Sequence, residues 1–414
     1  MVTNKEQNKL NVPHLRFPEF HGEWEKCKVS DLLDFYSTNS LSWDQLEYGT
    51  DNLLNLHYGL IHVGLPTMVD LSKDILPAIK KENEPKNFEL CKEGDIAFAD
   101  ASEDTNEVAK AIEFYTLEDK AVVCGLHTIH GRDKSNKTVV GYKGYAFSST
   151  AFHHQIRRIA QGTKIYSISA KNFAECYIGI PSKEEQTKIA KLLRLIDERI
   201  ATQSKLIEDL KKLKSAIIDY AINSLDTDFA KFGSLYEMAG EGGTPTTSNA
   251  SFYDNGKIPF VKIDDLKKKY LTENNDFITE LGLQKSSAWL VPTRSILFSN
   301  GATIGEITIT TYPVCTKQGI LGIVPKPNID VEFLYYFMSS SYFKKAVSRI
   351  VTEGTMKTVY LKDINNIRCP IPTKEKQLDI AKMPSALNSK IDFEQSILKL
   401  FGSQKQYLLR QMFM

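Results

Sequence analysis

The chain has 414 residues, of which 25% are charged, and a formal net charge of +1. This length predicts two or three domains, and this charge excludes a histone-like basic coat, so any contact with DNA must come from local patches or from partner proteins. The six scattered cysteines lack paired Cys-x-x-Cys spacing, and no apolar run is long enough to cross a bilayer. We therefore expect a cytoplasmic protein with reduced thiols, no metal site and no membrane partner.

Four blocks follow one another along the chain. Short strand-like runs separated by turns, such as Asp95 to Ala99, are typical of the first and third blocks. The second and fourth are rich in Lys, Glu, Leu and Ile and predict long helices. The predicted boundaries are 13–165 and 228–365 for the globular blocks, and 181–224 and 372–414 for the helices.

The second half of the chain repeats the first. Pro181-Ser182-Lys183-Glu184-Glu185-Gln186 returns 191 residues later as Pro372-Thr373-Lys374-Glu375-Lys376-Gln377. A repeat of this length indicates a duplicated unit of one domain and one helix. The globular blocks match less well than the helices, which predicts two domains that share a fold but recognise different things. A pseudo-symmetric chain of this kind suits a target in two parts.

Both helical blocks carry apolar residues at alternating spacings of four and three, which is typical of a coiled-coil seam. One alternative is that each helix packs on its own domain. Because polar residues interrupt both seams at matching positions, Gln203 with Glu394 and Lys214 with Lys405, we favour pairing of the two helices with each other. The predicted seam residues are Ile189, Leu193, Ile196, Ile200, Ile207, Leu210, Ile217, Ile380, Leu387, Ile391, Leu398, Phe401 and Leu408.

Pro384 stands where the first copy has Leu193. An interior proline removes a backbone donor and kinks or ends a helix. We therefore expect the second long helix to begin in earnest at Ser385, with that serine as its N-cap.

Motifs for catalysis are absent from the sequence. It contains no Gly-x4-Gly-Lys-Ser/Thr loop, no Asn/Asp-Pro-Pro-Tyr tetrapeptide, no His-Glu-x-x-His and no Gly-x-Ser-x-Gly. All eight histidines lie between His14 and His154, so a site built on them would exist in one copy only, against the symmetry. We predict no catalytic and no metal-binding residues, although a divergent nuclease stays open as a hypothesis.

Glycine-rich turns follow strands at four points of the second globular block. Glycine lets backbone amides approach phosphates, while Thr, Lys, Gln and Asn offer hydrogen bonds to bases or phosphates. Ordinary turn chemistry explains any one such loop, but four in one domain favour binding. The candidate DNA-binding residues are Gly242, Gly243, Thr244, Lys262, Asn300, Thr303, Thr316, Lys317, Gln318, Thr355 and Lys357, with Thr163 and Lys164 in the first block.

The order and duplication of these features resemble the DNA-specificity (S) subunit of type I restriction–modification systems, over nearly the whole chain. The residues that carry the resemblance are Pro13 to Phe20 with Gly22-Glu23-Trp24, Ile258 to Leu266, Gly301 to Gly305, and both Pro-x-Lys-Glu-x-Gln helix starts.

The resemblance implies an α+β fold with two similar globular α/β target-recognition domains, separated by two long helices that pair as an antiparallel coiled coil in a pseudo-two-fold arrangement. Each domain would recognise one half of a bipartite, asymmetric site in double-stranded DNA. The helices would set the spacer length and dock two methyltransferase subunits, and two motor–nuclease subunits can join. S-adenosylmethionine, ATP and Mg²⁺ would bind those partners, and this chain would be a non-catalytic subunit without a cofactor.

A rival hypothesis is a coiled-coil assembly scaffold whose globular domains bind peptides. Salt-sensitive, sequence-selective DNA binding discriminates the two, because a peptide module lacks it.

Overall fold

The computed structural model describes residues 11–50, 52–352 and 357–414. The chain divides into two compact units, which we call unit 1 (Met1–Ser204 with Ile397–Met414) and unit 2 (Lys205–Ser396). Each long helix contributes residues to both units. The domain boundaries given above follow the sequence blocks rather than these compact units, and they stay predictions.

Unit 1 is built on a five-stranded sheet with strand order β2-β11-β7-β9-β5 and a four-stranded sheet with order β10-β4-β6-β3. Two strand pairs, β1 with β13 and β8 with β12, complete it. The strands are β1 (Glu25–Lys28), β2 (Leu33–Tyr36), β3 (Leu46–Glu47), β4 (Leu54–Leu56), β5 (Met68–Asp70), β6 (Ala78–Ile79), β7 (Ile96–Ala99), β8 (Ala101–Ser102), β9 (Ala111–Thr116), β10 (Val122–Cys124), β11 (Thr128–Asp133), β12 (Tyr166–Ser167) and β13 (Tyr177–Ile180).

Unit 2 contains a five-stranded sheet with order β15-β22-β19-β20-β17, a three-stranded sheet with order β18-β16-β21, and the pair β14-β23. Its strands are β14 (Phe229–Lys231), β15 (Tyr236–Glu241), β16 (Ile258–Val261), β17 (Tyr270–Leu271), β18 (Asp276–Ile278), β19 (Ile296–Ser299), β20 (Ile307–Thr310), β21 (Cys315–Thr316), β22 (Ile320–Pro325) and β23 (Arg368–Pro370).

The two units share one topology. Each five-stranded sheet is antiparallel except for one edge pair, β5 with β9 in unit 1 and β17 with β20 in unit 2. Each second sheet holds one parallel pair, β4 with β10 and β16 with β21. Five strands therefore correspond one to one in the same spatial order, which confirms the predicted pair of similar α/β domains.

Eleven α-helices lie in the described residues, and none of them combines the length and apolar character that a membrane span requires. Five of the short ones, α4, α5, α7, α8 and α9, begin at hydroxyl or carboxylate caps; for example, Ser149 accepts a hydrogen bond from Phe152 N. They are α1 (Val29–Leu32), α2 (Tyr58–His62), α3 (Lys143–Phe147), α4 (Thr150–Ile159), α5 (Ala170–Ala174), α6 (Lys183–Asn223), α7 (Glu280–Gln284), α8 (Val331–Ser339), α9 (Ser341–Ser348), α10 (Leu361–Ile364) and α11 (Lys374–Gln411).

The long helices α6 and α11 pack in an antiparallel sense within each unit. In unit 1 the core contains Ile189 and Leu193 from the start of α6 together with Leu408 from the end of α11. In unit 2 the order is reversed, because Ile218 near the end of α6 shares a core with Ile380 near the start of α11. Apolar burial of this kind contributes roughly 1.5–3 kcal/mol for each large side chain. The predicted pairing of the helices is confirmed.

Polar seam positions bond across the helix pair. In unit 1, Lys405 Nζ lies 2.6 Å from Asp197 Oδ1 of α6. In unit 2, Lys214 of α6 donates to Asn388 Oδ1 of α11 at 3.0 Å. The two lysines occupy matching places in the repeat, so each unit carries one polar contact that fixes the helix register.

Toward the end of α6, the buried residues no longer follow the predicted heptad positions. There Ile218 and Ile222 are buried, whereas the predicted Ile217 is only partly buried. An α-helix with 3.6 residues per turn drifts away from a 3.5-residue seam, so the buried stripe moves onto the neighbouring position. Buried as predicted are Ile189, Leu193, Ile196, Ile207, Ile380, Ile391 and Leu408, and partly buried are Ile200, Leu210, Ile217, Leu387, Leu398 and Phe401.

The prediction that the second long helix begins at Ser385 is wrong. Helix α11 begins at Lys374 and runs through Pro384 without a break. Ser385 is no N-cap, because its Oγ accepts hydrogen bonds from Lys269 Nζ at 2.9 Å and from Tyr336 Oη at 3.1 Å. These contacts with the globular part of unit 2 anchor the helix where proline leaves one carbonyl of the preceding turn without its donor.

The repeated Pro-x-Lys-Glu-x-Gln motif builds the start of each long helix. The hydroxyl of Ser182 accepts from Glu185 N at 3.3 Å, and that of Thr373 accepts from Lys376 N at 3.4 Å. Both residues are therefore N-caps, and the preceding prolines end the strand pairs that lead into the helices.

The glutamine that closes the motif joins each helix to its own domain. Gln186 is fully buried; its Oε1 accepts from Val139 N at 2.9 Å and its Nε2 donates to the carbonyls of Lys137 at 3.0 Å and Pro181 at 2.9 Å. In unit 2, Gln377 makes the same three bonds with Asp330, Asn328 and Pro372, at 2.7, 3.2 and 2.9 Å. We call each such set a glutamine clamp.

We expect Gln186→Leu or Gln377→Leu to lower the free energy of unfolding by roughly 3 kcal/mol, because each removes three hydrogen bonds and leaves a backbone N–H and two carbonyls, one of them buried, without partners. Gln404, which is exposed on α11, provides the control. Gln404→Leu should change the free energy of unfolding by less than about 0.5 kcal/mol. Urea denaturation followed by circular dichroism measures both. Equal effects of the buried and exposed substitutions would contradict a clamp.

Candidate nucleic-acid interface

The glycine-rich loops of unit 2 meet at one end of its five-stranded sheet. Gly242 N donates to the carbonyl of Ile320 at 2.9 Å, and Asn300 N donates to that of Gly319 at 3.0 Å. Gln318 N donates to Thr244 Oγ1 at 3.3 Å. Loops far apart in sequence thus form one surface, which we call the unit 2 loop end.

Two of the predicted glycines serve contacts between loops. A Cβ atom on Gly242 would lie 2.2 Å from the carbonyl oxygen of Thr316, and one on Gly243 would lie 2.4 Å from Ala288 N. The prediction gave these glycines the role of bringing amides to phosphates. The structure instead shows both residues buried, with the Gly242 amide already bonded. Contact of either with DNA stays a prediction.

The other candidate residues of unit 2 divide by exposure. Asn300 and Thr316 are buried, and Asn300 Nδ2 donates to the carbonyl of Val359 at 3.1 Å, so both side chains stabilise the loops from within. Lys262 is exposed but forms an ion pair of 2.8 Å with Asp276. Thr355 lies outside the described residues. The exposed remainder is Thr303, Lys317, Gln318 and Lys357, with Thr244 partly buried.

Unit 1 repeats the same backbone bonds at its own loop end. Asp100 N donates to His127 O at 3.1 Å, as Asn300 N does to Gly319 O. Gly125 N donates to Leu56 O at 2.9 Å, as Lys317 N does to Val261 O. These pairs make Asp100 equivalent to Asn300, His127 to Gly319, and His57 to Lys262. The two ends therefore share a framework and present different side chains.

Aromatic rings gather at the unit 1 loop end, whereas the sequence analysis named only Thr163 and Lys164, both exposed, as candidates in the first block. The ring centroids of Trp43 and His57 lie 4.3 Å apart, and those of Tyr58 and His127 lie 5.3 Å apart. Burial and the charge of the nearby His127 lower the pKa of His57, whose Nδ1 accepts from Gly59 N and caps α2. The exposed indole of Trp43, packed against this buried ring, is suited to stacking with bases.

Sequence reasoning missed this cluster for an identifiable reason. All eight histidines lie in the first block, so a site built on them would exist in one copy only. The sequence analysis took this as an argument against a histidine site, because it expected the two halves to be symmetric. The same fact indicates that the loops of the two units differ in their side chains on one shared framework, and the structure shows this difference.

The fold and these loop ends define a class: a duplicated recognition protein in which paired helices carry two copies of one α/β domain with different loops. The family described as "Type I restriction modification DNA specificity domain" matches the chain over residues 68–212 and again over 226–400. These segments cover more than half of the chain. The chain belongs to this family.

Curated relatives are similar at low identity. A putative type I restriction enzyme MjaX specificity subunit of Methanocaldococcus jannaschii is 23% identical over 413 residues, covering 94% of this chain and 92% of that protein. The MjaIX specificity subunit of the same organism is 25% identical, covering 56% of this chain and 58% of the relative. For the EcoR124I/EcoR124II specificity subunit of Escherichia coli the values are 23%, 51% and 55%. The chain thus spans little more than half the length of the latter two.

Two solved structures share the fold. The S subunit of a type I restriction–modification system from M. genitalium superposes with a TM-score of 0.55 at 17% identity, covering 97% of this chain and 99% of that one. A chain from a study of complex assembly and conformational transition of the type I system gives a TM-score of 0.61 at 13% identity, covering 96% and 98%.

We expect Gly242→Ala to destabilise unit 2, because a methyl group 2.2 Å from the Thr316 carbonyl oxygen forces the loops apart. The matched control is Gly402→Ala in α11, where a Cβ meets nothing within 4 Å and which should stabilise the helix by up to about 1 kcal/mol. Thermal unfolding of both variants measures this. A Gly242→Ala protein as stable as wild type would show that the loops are not packed as described.

Proposed function

We propose that this chain is the DNA-specificity subunit of a type I restriction–modification complex. Each loop end recognises one half of a bipartite, asymmetric site in double-stranded DNA, and the paired helices set the spacer between the halves. The observation that carries the proposal is the pair of loop ends with the same backbone bonds and different side chains. One framework with two sets of side chains suits a site whose halves differ in sequence.

The chemistry of recognition rests on the exposed side chains. In unit 2, Lys317 and Lys357 offer charge for phosphates, and Gln318 offers an amide that can bond adenine in two places. In unit 1, Trp43 offers an exposed ring, which packs against the buried imidazole of His57. Each bidentate contact with a base discriminates by about 1–3 kcal/mol.

The proposed partners supply what this chain does not. Two methyltransferase subunits dock on the helical pair and bind S-adenosylmethionine, and two motor–nuclease subunits, where the host makes them, bring ATP and Mg²⁺. The chain itself has no catalytic role in this proposal and acts in the cytoplasm. Its near-neutral net charge suits a subunit whose partners clamp the DNA.

Co-expression with the neighbouring methyltransferase, followed by sequencing of methylated adenines in genomic DNA, tests the proposal. We expect one split motif with a fixed spacer. A stable complex without methylation would favour the assembly scaffold, and metal-dependent cleavage of DNA by the isolated chain would favour a nuclease.

Lys317→Ala should weaken DNA binding by the assembled complex and reduce the slope of log affinity against log salt by about one, because one phosphate contact is lost. Lys231→Ala is the control. This exposed lysine lies on β14, which pairs with β23 just before α11, and it bonds Asn366. Fluorescence anisotropy over a range of salt concentrations gives both slopes. An unchanged slope in Lys317→Ala would exclude its contact with DNA.

A further inference from the structure

Three buried side chains in unit 1 converge on one point. The ligand atoms of Cys91, Cys124 and His130 all lie within 4.8 Å of one another. The two sulfur atoms are 3.6 Å apart, and the three residues are at most 5% exposed. Two thiols and an imidazole are the side chains that soft and borderline cations prefer.

The imidazole is oriented by a carboxylate behind it. Nε2 of His130 lies 2.8 Å from Asp95 Oδ2, and Arg132 donates to both oxygens of the same carboxylate at 2.9 and 2.8 Å. Nε2 therefore carries the proton that it donates to Asp95, as in carboxylate–histidine–metal sites.

That tautomer leaves a lone pair on the other ring nitrogen. Nδ1 of His130 is buried and has no hydrogen-bond partner among the described residues. A buried acceptor without a partner is costly, and packing of thiols and imidazole as ordinary core residues does not relieve the cost. A cation bound at Nδ1 does.

Unit 2 shows that the fold itself does not require these side chains. The same strand pairings make Cys91 equivalent to Val291, Cys124 to Thr316 and His130 to Gly322. There the space beside Gly322 is filled, because a Cβ atom on it would lie 2.6 Å from Val291 and 2.7 Å from Trp289. The second copy closes this position with apolar packing, whereas the first places three ligand types in it.

We propose that Cys91, Cys124 and His130 bind one thiophilic closed-shell cation, Zn²⁺ or Cu⁺, as a structural site of unit 1. The observed sulfur–sulfur distance is close to the edge of about 3.8 Å of a tetrahedral site with Zn–S bonds of about 2.3 Å. Each thiol releases its proton to solvent when the cation binds. The site ties the segment before β7 to the end of β10 and to β11, and this inference does not depend on the proposed function.

The full-length chain, purified without chelators, provides the test by elemental mass spectrometry. We expect a single equivalent of zinc or copper, and the element found distinguishes the two cations. Cys91→Ser and Cys124→Ser should each lose at least nine-tenths of the metal. Cys176→Ser is the matched control, because this cysteine is equally buried in unit 1 but lies outside the cluster, and it should retain the metal.

A second measurement keeps the inference testable if the serine variants fold poorly. For a zinc site, wild-type chain exchanged with Co²⁺ should show thiolate-to-cobalt charge-transfer absorption in the near ultraviolet. For a copper site, the wild-type chain should release Cu⁺ to a chromogenic chelator. Wild-type protein that takes up none of these metals overturns the proposal. So does a disulfide between Cys91 and Cys124 in the protein as isolated, or equal metal loss in Cys176→Ser.

Discussion

The glutamine clamp is the interaction on which the rest of the architecture depends. One buried amide, at Gln186 or Gln377, satisfies a loop N–H, a loop carbonyl and the carbonyl just before its own helix. The three bonds form together in one orientation of the helix start against its domain. Any orientation that left the buried amide without these bonds would be costly. Each domain is thereby fixed to the start of its own long helix, and the loop end that it carries has a defined direction relative to that helix start.

The loop ends of the two units share their backbone bonds but differ in their side chains. Loop geometry and surface chemistry therefore depend on different parts of the structure. The bonds from Asp100 to His127 and from Asn300 to Gly319 hold the same framework, so geometry is set without reference to side-chain identity. His57 and Lys262 then occupy one framework position with opposite chemistry: a ring of lowered pKa in a stack, and an ammonium on the surface. Affinity and selectivity can change here without a cost to the fold.

The sequence predicted what depends on periodicity and repetition, namely the helices, the seam and the duplicated domain. It failed where distant contacts decide. Pro384 has the local signature of a helix break, but Lys269 and Tyr336 hold Ser385 from another part of unit 2. Nor could it show that Gly242 and Gly243 pack against other loops, and their contact with DNA stays a prediction. Cys91, Cys124 and His130 are dispersed in the chain, so no spacing rule unites them.

The antiparallel packing of α6 and α11 has an evolutionary consequence. Matching polar positions on the two helices make the contact self-complementary, as in an isologous dimer. A half-length chain with one domain and one helix would have to cover its apolar stripe with a second copy of itself, and its two domains would then be identical. In one chain that carries both copies, a substitution changes one half alone, so the two domains can differ while the matching positions on the helices remain.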